Sequence, residues 1–437
     1  MSAQVDLKIR KVFSNPREAL EGRWPCRRKM DPRLEGYVKS IVDEVKRRGD
    51  LAIMDFTKKF DGVELTPGGI RVSKDDIREA YEKVDGRQVT AIESVKARIE
   101  AVERRILESA NLSIEFDGLV IRNRTKPLKS VGCYIPGGGA SYPSTLVMAV
   151  TPAKVAGVPH ILVCSPPGID GEVSPLTLVA ADLCGVDEVY RVGGAQAIAA
   201  MAYGTESIRR VDKIVGPGNR YVTAAKVIVS KDVAIDVPAG PSEVMILADD
   251  LADPEIVALD MISQAEHGAD SIAILVTTSR ELVDKVCKRL ESFVQGIPRS
   301  SIVAESLSKN GLIYVCENLD EGISFVNAFA PEHLEIILPE PLKVAEGVTS
   351  AGLILIGSDT PVSASDYYLG TNHILPTGGF GKIYSGLSVL DFVRRYHTVE
   401  CSKDGLRDVM GIVRTLALAE GLPNHASAVE ARFRRGV

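Results

Sequence analysis

The sequence predicts an α/β protein built around two parallel-sheet blocks, with helical segments before and after them. Three observations carry this expectation. The first third of the chain shows the three- and four-residue apolar spacing of amphipathic helices. From about Lys129 onward, short apolar runs without polar alternation are separated by helix-like stretches, the pattern of strands buried on both faces in βαβ units. The same texture returns after Asp236, so the two blocks read as duplicated, Rossmann-like halves.

Between Leu34 and Lys59 the apolar positions fall on one helical face with charges between them, and Gly49–Asp50 marks a junction between two helices. A second helical stretch, rich in Glu, Lys and Arg, runs from about Lys74 to Ala110. In the first block SVGCYIP, HILVCSPP and EVYRVGG read as strands around the helices LVMAVTPAKVAGV and SPLTLVAADLCGV. In the second, EVMILADD, SIAILVTTS, GLIYVCEN and GLILIGSD are strands, and IVALDMISQAEHGAD and LVDKVCKRLESFVQ are helices. The chain finishes in a mixed tail with a helical stretch beginning LRDVMGIVRTLALAEG.

A chain of 437 residues exceeds what one compact core serves, so two or three domains are expected. The net charge of −6 is mild and argues against a protein whose main task is neutralising nucleic-acid phosphates. Seven cysteines, an odd number with no clustered spacing, exclude a disulfide framework and a thiolate-held metal; they read as reduced and structural. Charges interrupt the first residues, leaving no signal peptide, and no apolar run approaches the ~20 residues of a membrane span. A cytoplasmic location is the expectation.

Six histidines make their placement informative. Gln264 and His267, in SQAEHG, are spaced to share one helical face and offer an amide oxygen and an imidazole nitrogen to one metal; a cluster at a solvated helix end is the alternative. Glu332 and His333, after Pro331, offer a carboxylate and an imidazole as two bases near neutral pH, useful to a two-stage oxidation if a turn aims both at one cavity; a solvated loop pair is the alternative. Asp366 lies in a loop of small residues, seven before His373, where it binds a ligand or caps a turn. His425, with Glu420 five residues earlier, stands near a C-terminal helix. Oxygen from Gln and Asp with nitrogen from two His suits Zn²⁺, with Mn²⁺ or Co²⁺ as substitutes. Two glycine-rich loops, Gly137-Gly138-Gly139 after Tyr134 and Gly216-Pro217-Gly218-Asn219, expose backbone N–H groups suited to phosphate. Neither is GxGxxG, since Tyr142 stands where the third glycine belongs.

Taken together, YIPGGGASYPSTLVM, GGAQAIAAMAYGT, DKIVGPGNRYVTAAK, PAGPSEV, SQAEHG, APEHLE, GTNHILPTGG and EGLPNHA resemble the histidinol dehydrogenase family over nearly the whole chain. The resemblance implies two related, incomplete Rossmann-like domains with small helical N- and C-terminal extensions, in an intertwined homodimer. It divides the chain into an N-terminal extension over 1–32, a first domain over 33–128 and 238–380, a second over 129–237, and a C-terminal extension over 381–437 that reaches the partner. Gln264, His267, Asp366 and His425 match the zinc ligands, the last from the other subunit. Glu332 and His333 match the acid/base pair. Ser242, Glu420 and His333 match substrate contacts, joined by the metal ligands. Tyr134, Gln196 and Asn219 match contacts to NAD. The implied reaction takes L-histidinol through L-histidinal to L-histidine with two NAD⁺. Some relatives oxidise sulfonated diols instead, and the retained EGLPNHA segment favours an imidazole-bearing substrate. A zinc hydrolase and a non-catalytic binding protein are the competing classes.

Overall fold

The computed structural model describes residues 7–20, 31–137, 141–237 and 240–434. Gly138 and Gly139 of the first glycine loop, Cys26, and Pro238–Ala239 of PAGPSEV lie outside the described residues.

Among the described residues the strands, in chain order, are β1 (Arg10–Phe13), β2 (Leu112–Phe116), β3 (Leu119–Pro127), β4 (Val131–Tyr134), β5 (Ile161–Ser165), β6 (Glu188–Arg191), β7 (Lys213–Val215), β8 (Ala234–Ile235), β9 (Glu243–Ala248), β10 (Ile272–Thr277), β11 (Leu312–Val315), β12 (His333–Ile337), β13 (Leu353–Ile356) and β14 (Val393–Cys401). A five-stranded sheet runs β6-β5-β4-β7-β8 and a six-stranded sheet runs β1-β11-β10-β9-β12-β13. Every neighbouring pair in both is parallel. With β1 set aside, each sheet repeats one order: third, second, first, fourth, fifth strand. That is the order of a mononucleotide-binding half, with its switch point between the first and fourth strands.

Both faces of each sheet are covered, which is why these strands read as unbroken apolar runs. Val131, Cys133, Ile161 and Val163 enter one core, while Tyr134, Leu162 and Cys164 enter the core on the opposite face. In the larger sheet Val244 and Ile246 face one core and Met245 and Leu247 the other. This is the two-residue alternation of a pleated strand with apolar chains on both sides.

Three expectations need correction. The N-terminal extension is not simply helical: β1 pairs with β11 and forms the edge of the larger sheet. At four residues, RKVF is too short to display a period. The C-terminal extension is not simply helical either. Its β14 pairs antiparallel with β3, which also pairs with β2, before the helices Lys403–Ala419 and Pro423–Arg434. Finally, the helical stretch grouped with residues 238–380 packs on the smaller sheet's block. The helix Pro32–Arg48 packs on the helices Gly194–Tyr203 and Arg220–Val229, and Gly86–Ser109 packs on Pro143–Ala156. Ile92 and Ile99 share a core with Val131 and Val163, and Val38 and Ile41 share one with Leu162 and Tyr190. Amphipathicity reveals that a helix has a buried face but not which sheet covers it.

Only residues 236–242 connect the end of β8 to the start of β9. Seven residues span at most about 25 Å. The carboxyl edge of the smaller sheet is therefore held close to the amino edge of the larger one, and the candidate site lies along these two edges.

Candidate active site and metal centre

The helix Leu319–Phe329 ends on Ala330, whose φ of 55° is left-handed. Without glycine this costs about 1 kcal/mol, and Pro331 follows. The chain thus turns sharply into Glu332 and β12, whose first residue is His333. Both side chains are buried at 6% and 3% exposure. Glu332 Oε2 accepts the Glu243 N–H at 2.8 Å and lies 3.7 Å from His333 Nδ1. His333 Nδ1 also faces the Glu243 carbonyl oxygen at 3.4 Å. A carbonyl only accepts, so Nδ1 carries a hydrogen in either protonation state, and Nε2 is the nitrogen that gains or loses the second proton. That Nε2 lies 3.5 Å from Asp366 Oδ1. Among the described residues neither atom has a hydrogen-bond partner.

Burial pushes the Glu332 carboxyl up to about 8, against the lowering influence of His333 and the Glu243 N–H. Burial alone would lower His333, but the charges of Glu332 and Asp366 overcome it and bring the imidazole to about 9. Asp366 moves the other way. Its desolvation is outweighed chiefly by the close approach and charge of His333, which hold it ionised. A cation held by Asp366 would remove part of what raises His333.

Asp366 stands in the helix Val362–Tyr367, whose first N–H, that of Val362, donates to Glu335 Oε1 at 2.7 Å. Glu335 lies two residues beyond His333 on β12 and is buried, so one strand both carries the imidazole and pins the helix opposite it. That helix packs on Pro254–Ala265. In the last turn of Pro254–Ala265, Gln264 is 2% exposed and its amide Nε2 has no partner among the described residues. A half-turn of the amide presents its oxygen to the same space. His267 follows just beyond the helix, exposed, its N–H donating to the Gln264 carbonyl at 3.3 Å. Ser242 directly precedes Glu243, the residue bonded to both Glu332 and His333. Glu243 Oε1 in turn accepts the Gly378 N–H at 3.0 Å.

Glu332, His333 and Asp366 thus come together, with His267 near enough to act on Asp366. His425 and Glu420 do not join them within one chain. They sit exposed on the C-terminal arm, beyond the helix Lys403–Ala419. Among the described residues no group of three or more His, Cys, Asp or Glu forms a metal cage. The donor set nevertheless fits a divalent ion that needs one more ligand: a buried orphan amide, an orphan carboxylate oxygen and an exposed imidazole, all from the larger domain.

At the facing edge, the loops after β4 and β7 flank the smaller sheet's switch point. Tyr134 ends β4 and its Oη accepts the Gly194 N–H at 3.1 Å. Gln196, in the first turn of Gly194–Tyr203, is buried with its Oε1 unpaired among the described residues. Asn219 caps the helix Arg220–Val229 by accepting the Tyr221 and Val222 N–H groups at 3.0 and 3.2 Å. Gly216 has φ 115°, and a Cβ there would overlap the Tyr134 carbonyl oxygen. The backbone can follow this path only with glycine. On the same sheet, beyond β4 and β5, a cavity of about 280 Å³ is lined by Gly137, Ser165, Asp170, Ser174 and Thr177, and Tyr134, Gln196 and Asn219 are not among its lining residues. Tyr134, Gln196 and Asn219 thus lie at or just after the carboxyl ends of β4, β6 and β7, the edge along which doubly wound sheets bind ligands.

Two buried pairs escaped sequence reasoning. Lys226, in RYVTAAKVIV, pairs with Asp236 and donates to the carbonyls of Gly216 at 3.0 Å and Val237 at 3.3 Å, while Asp236 accepts the Gly216 N–H at 2.7 Å. Together they clamp both backbone groups of the glycine that opens the second loop. A lysine within an apolar helical run was the available signal. Asp260 and Glu335 are close enough to influence one another, and burial pushes them up to about 6 and about 8. Asp260 lies four residues before Gln264 on one helical face, which was also readable.

Fold and site together define an α/β enzyme that combines a doubly wound parallel sheet with a buried acid–base cluster. A family model described as histidinol dehydrogenase matches residues 26–433. A histidinol dehydrogenase of Methanothermobacter thermautotrophicus is 46% identical over 399 residues, covering 91% of this chain and 93% of that one. Another, of Archaeoglobus fulgidus, is 45% identical with 91% and 95% covered. The crystal structure of histidinol dehydrogenase from Elizabethkingia anophelis superposes with a TM-score of 0.92 at 37% identity, covering 98% of this chain and 99% of that one. The chain belongs to the histidinol dehydrogenase family.

Proposed function

We infer that the protein oxidises L-histidinol through L-histidinal to L-histidine, reducing two NAD⁺. The observation that carries this reading is the buried Glu332–His333–Asp366 cluster, with orphan polar atoms, at the edge facing the nucleotide crevice. Gln264, His267, Asp366 and His425 of the partner subunit would hold a zinc ion, which would supply a positive anchor for the substrate's nitrogens.

His333 Nε2 accepts the hydroxyl proton as hydride leaves the carbinol carbon for the first NAD⁺, giving aldehyde and NADH. The Glu243 carbonyl holds the ring in the required tautomer. Glu332 then takes a proton from water as its oxygen adds to the aldehyde carbon, and a second hydride passes to a second NAD⁺. The nucleotide is held by Tyr134, Gln196 and Asn219, while Ser242 and Glu420 position the substrate.

A homodimer follows from the same reading, because His425 and Glu420 lie exposed on the arm and join no described cluster of their own chain. The arm that carries them exposes Ile412 (63%) and Leu416 (58%), and Tyr367, Tyr368 and Leu369 are exposed beside Asp366. A second copy of the chain covers both surfaces when its arm delivers the missing imidazole. No described helix is long and apolar enough to cross a membrane, in keeping with a cytoplasmic biosynthetic enzyme.

Counting NADH tests the reading. L-histidinol should yield two NADH per molecule consumed, measured by absorbance and amino-acid analysis. One NADH per molecule, or NADH formed only with a sulfonated diol, would remove histidinol as the substrate. Hydrolytic activity without NAD would replace the whole class.

A further inference from the structure

His373 is a histidine beside the cluster that the reaction just described does not use. Its Nδ1 lies 2.9 Å from the carbonyl oxygen of Asp366, and its Nε2 lies 3.1 Å from Thr145 Oγ1. The carbonyl can only accept, so Nδ1 donates to it and Nε2 must accept from the Thr145 hydroxyl. With both nitrogens committed, the ring neither takes a proton from substrate nor ligates a metal.

Thr145 is the third residue of the helix Pro143–Ala156, which follows β4 out of the nucleotide crevice. The neighbouring Asn372 reinforces the connection. Its Nδ2 donates to the Met148 carbonyl in the next turn of that helix at 2.8 Å, and its Oδ1 accepts the Ile374 N–H at 2.9 Å. The backbone around Asp366, whose carboxylate faces His333, is therefore fastened through side chains to the helix where a dinucleotide's phosphates would dock. Thr145 and Asn372 are both buried.

We propose that Thr145–His373–Asp366 is a positioning relay that couples the nucleotide crevice of the smaller domain to the metal-ligating carboxylate of the larger one, so that dinucleotide and metal bind cooperatively. This rests on the reading that NAD occupies that crevice and Asp366 holds the metal. A nucleotide that fixes the helix fixes His373, and His373 fixes the residue that presents the carboxylate. By reciprocity, a loaded metal site pre-orders the helix for nucleotide.

The test is the NADH dissociation constant, read by fluorescence on the zinc-loaded and zinc-stripped dimer. The wild type should bind NADH about fivefold or more tightly when loaded. Thr145→Val, similar in shape but lacking the hydroxyl, should bring the ratio close to one, and Thr145→Ser should restore it. A purely structural role for Thr145 would weaken both states alike and leave the ratio intact. If the valine variant does not fold, His373→Asn replaces it, since its shorter side chain cannot bridge Asp366 and Thr145. A ratio of one in the wild type, or an unchanged ratio in these variants, overturns the relay. Wild-type protein that binds no NADH in either state overturns the relay and the nucleotide reading together.

Discussion

Glu332→Gln should leave oxidation of histidinol to the aldehyde much less affected than oxidation of the aldehyde to the acid. The second step should fall by roughly 10²–10⁴-fold, the usual contribution of a positioned general base. Glutamine keeps an oxygen to accept the Glu243 N–H, so the sharp entry into β12 survives while the proton acceptor is lost. The pH profile should change as well. Glu332 must be ionised to act, so aldehyde oxidation rises with pH as the carboxyl deprotonates. Its pKa, raised to about 8 by burial, sets the upper bound of that limb, and a nearby bound cation shifts it down. The glutamine variant should lack the limb. Supplying histidinal and histidinol separately and following NADH checks both statements; unchanged turnover of histidinal would remove Glu332 from the role of base.

The second large effect concerns the subunits. Asp366→Asn and His425→Ala should each abolish activity in a pure homodimer. Each substitution takes one ligand from every site. Mixed and re-associated, the two inactive proteins should recover about a quarter of the wild-type activity per chain. In random mixing half of the dimers are hybrids. In each hybrid, one site carries both defects and the other carries neither. An arm serving its own chain's site gives no recovery on mixing. The geometry already leans against a self-contained site, since His425 is exposed on the arm while Asp366 contacts His333.

How much of this was legible in the sequence depended on length and on distance along the chain. β4, β5, β9, β10 and β11 were readable because both of their faces are buried and their residues are nearly all apolar; β13 is only half-buried but wholly apolar, and β6, with Glu188 and Arg191 at its ends, was readable from its place in the strand–helix alternation. β7 and β8 were missed at three and two residues, too short to show a pattern. β12 was read as a turn because it opens with His333 and contains Glu335, and polar residues on a strand resemble a loop until their buried partners are known. The common strand order, which turns two glycine loops into one crevice, exists only in three dimensions. At the site, residue types and helical spacing pointed to Gln264 and His267, and joined motifs pointed to the rest. What the sequence did not disclose was environment. The orphaned amide of Gln264, the left-handed Ala330 before Glu332, the Lys226–Asp236 clamp and the Thr145–His373 bond all join residues far apart in the chain or depend on burial.

Zinc-edge anomalous diffraction from crystals of the metal-loaded dimer bears most directly on a cage assembled from two chains. One peak per subunit is expected, within about 2.3 Å of donor atoms from Gln264, His267 and Asp366 and from the partner subunit's His425. A peak ligated by a single chain, or one remote from these four residues, would contradict the account.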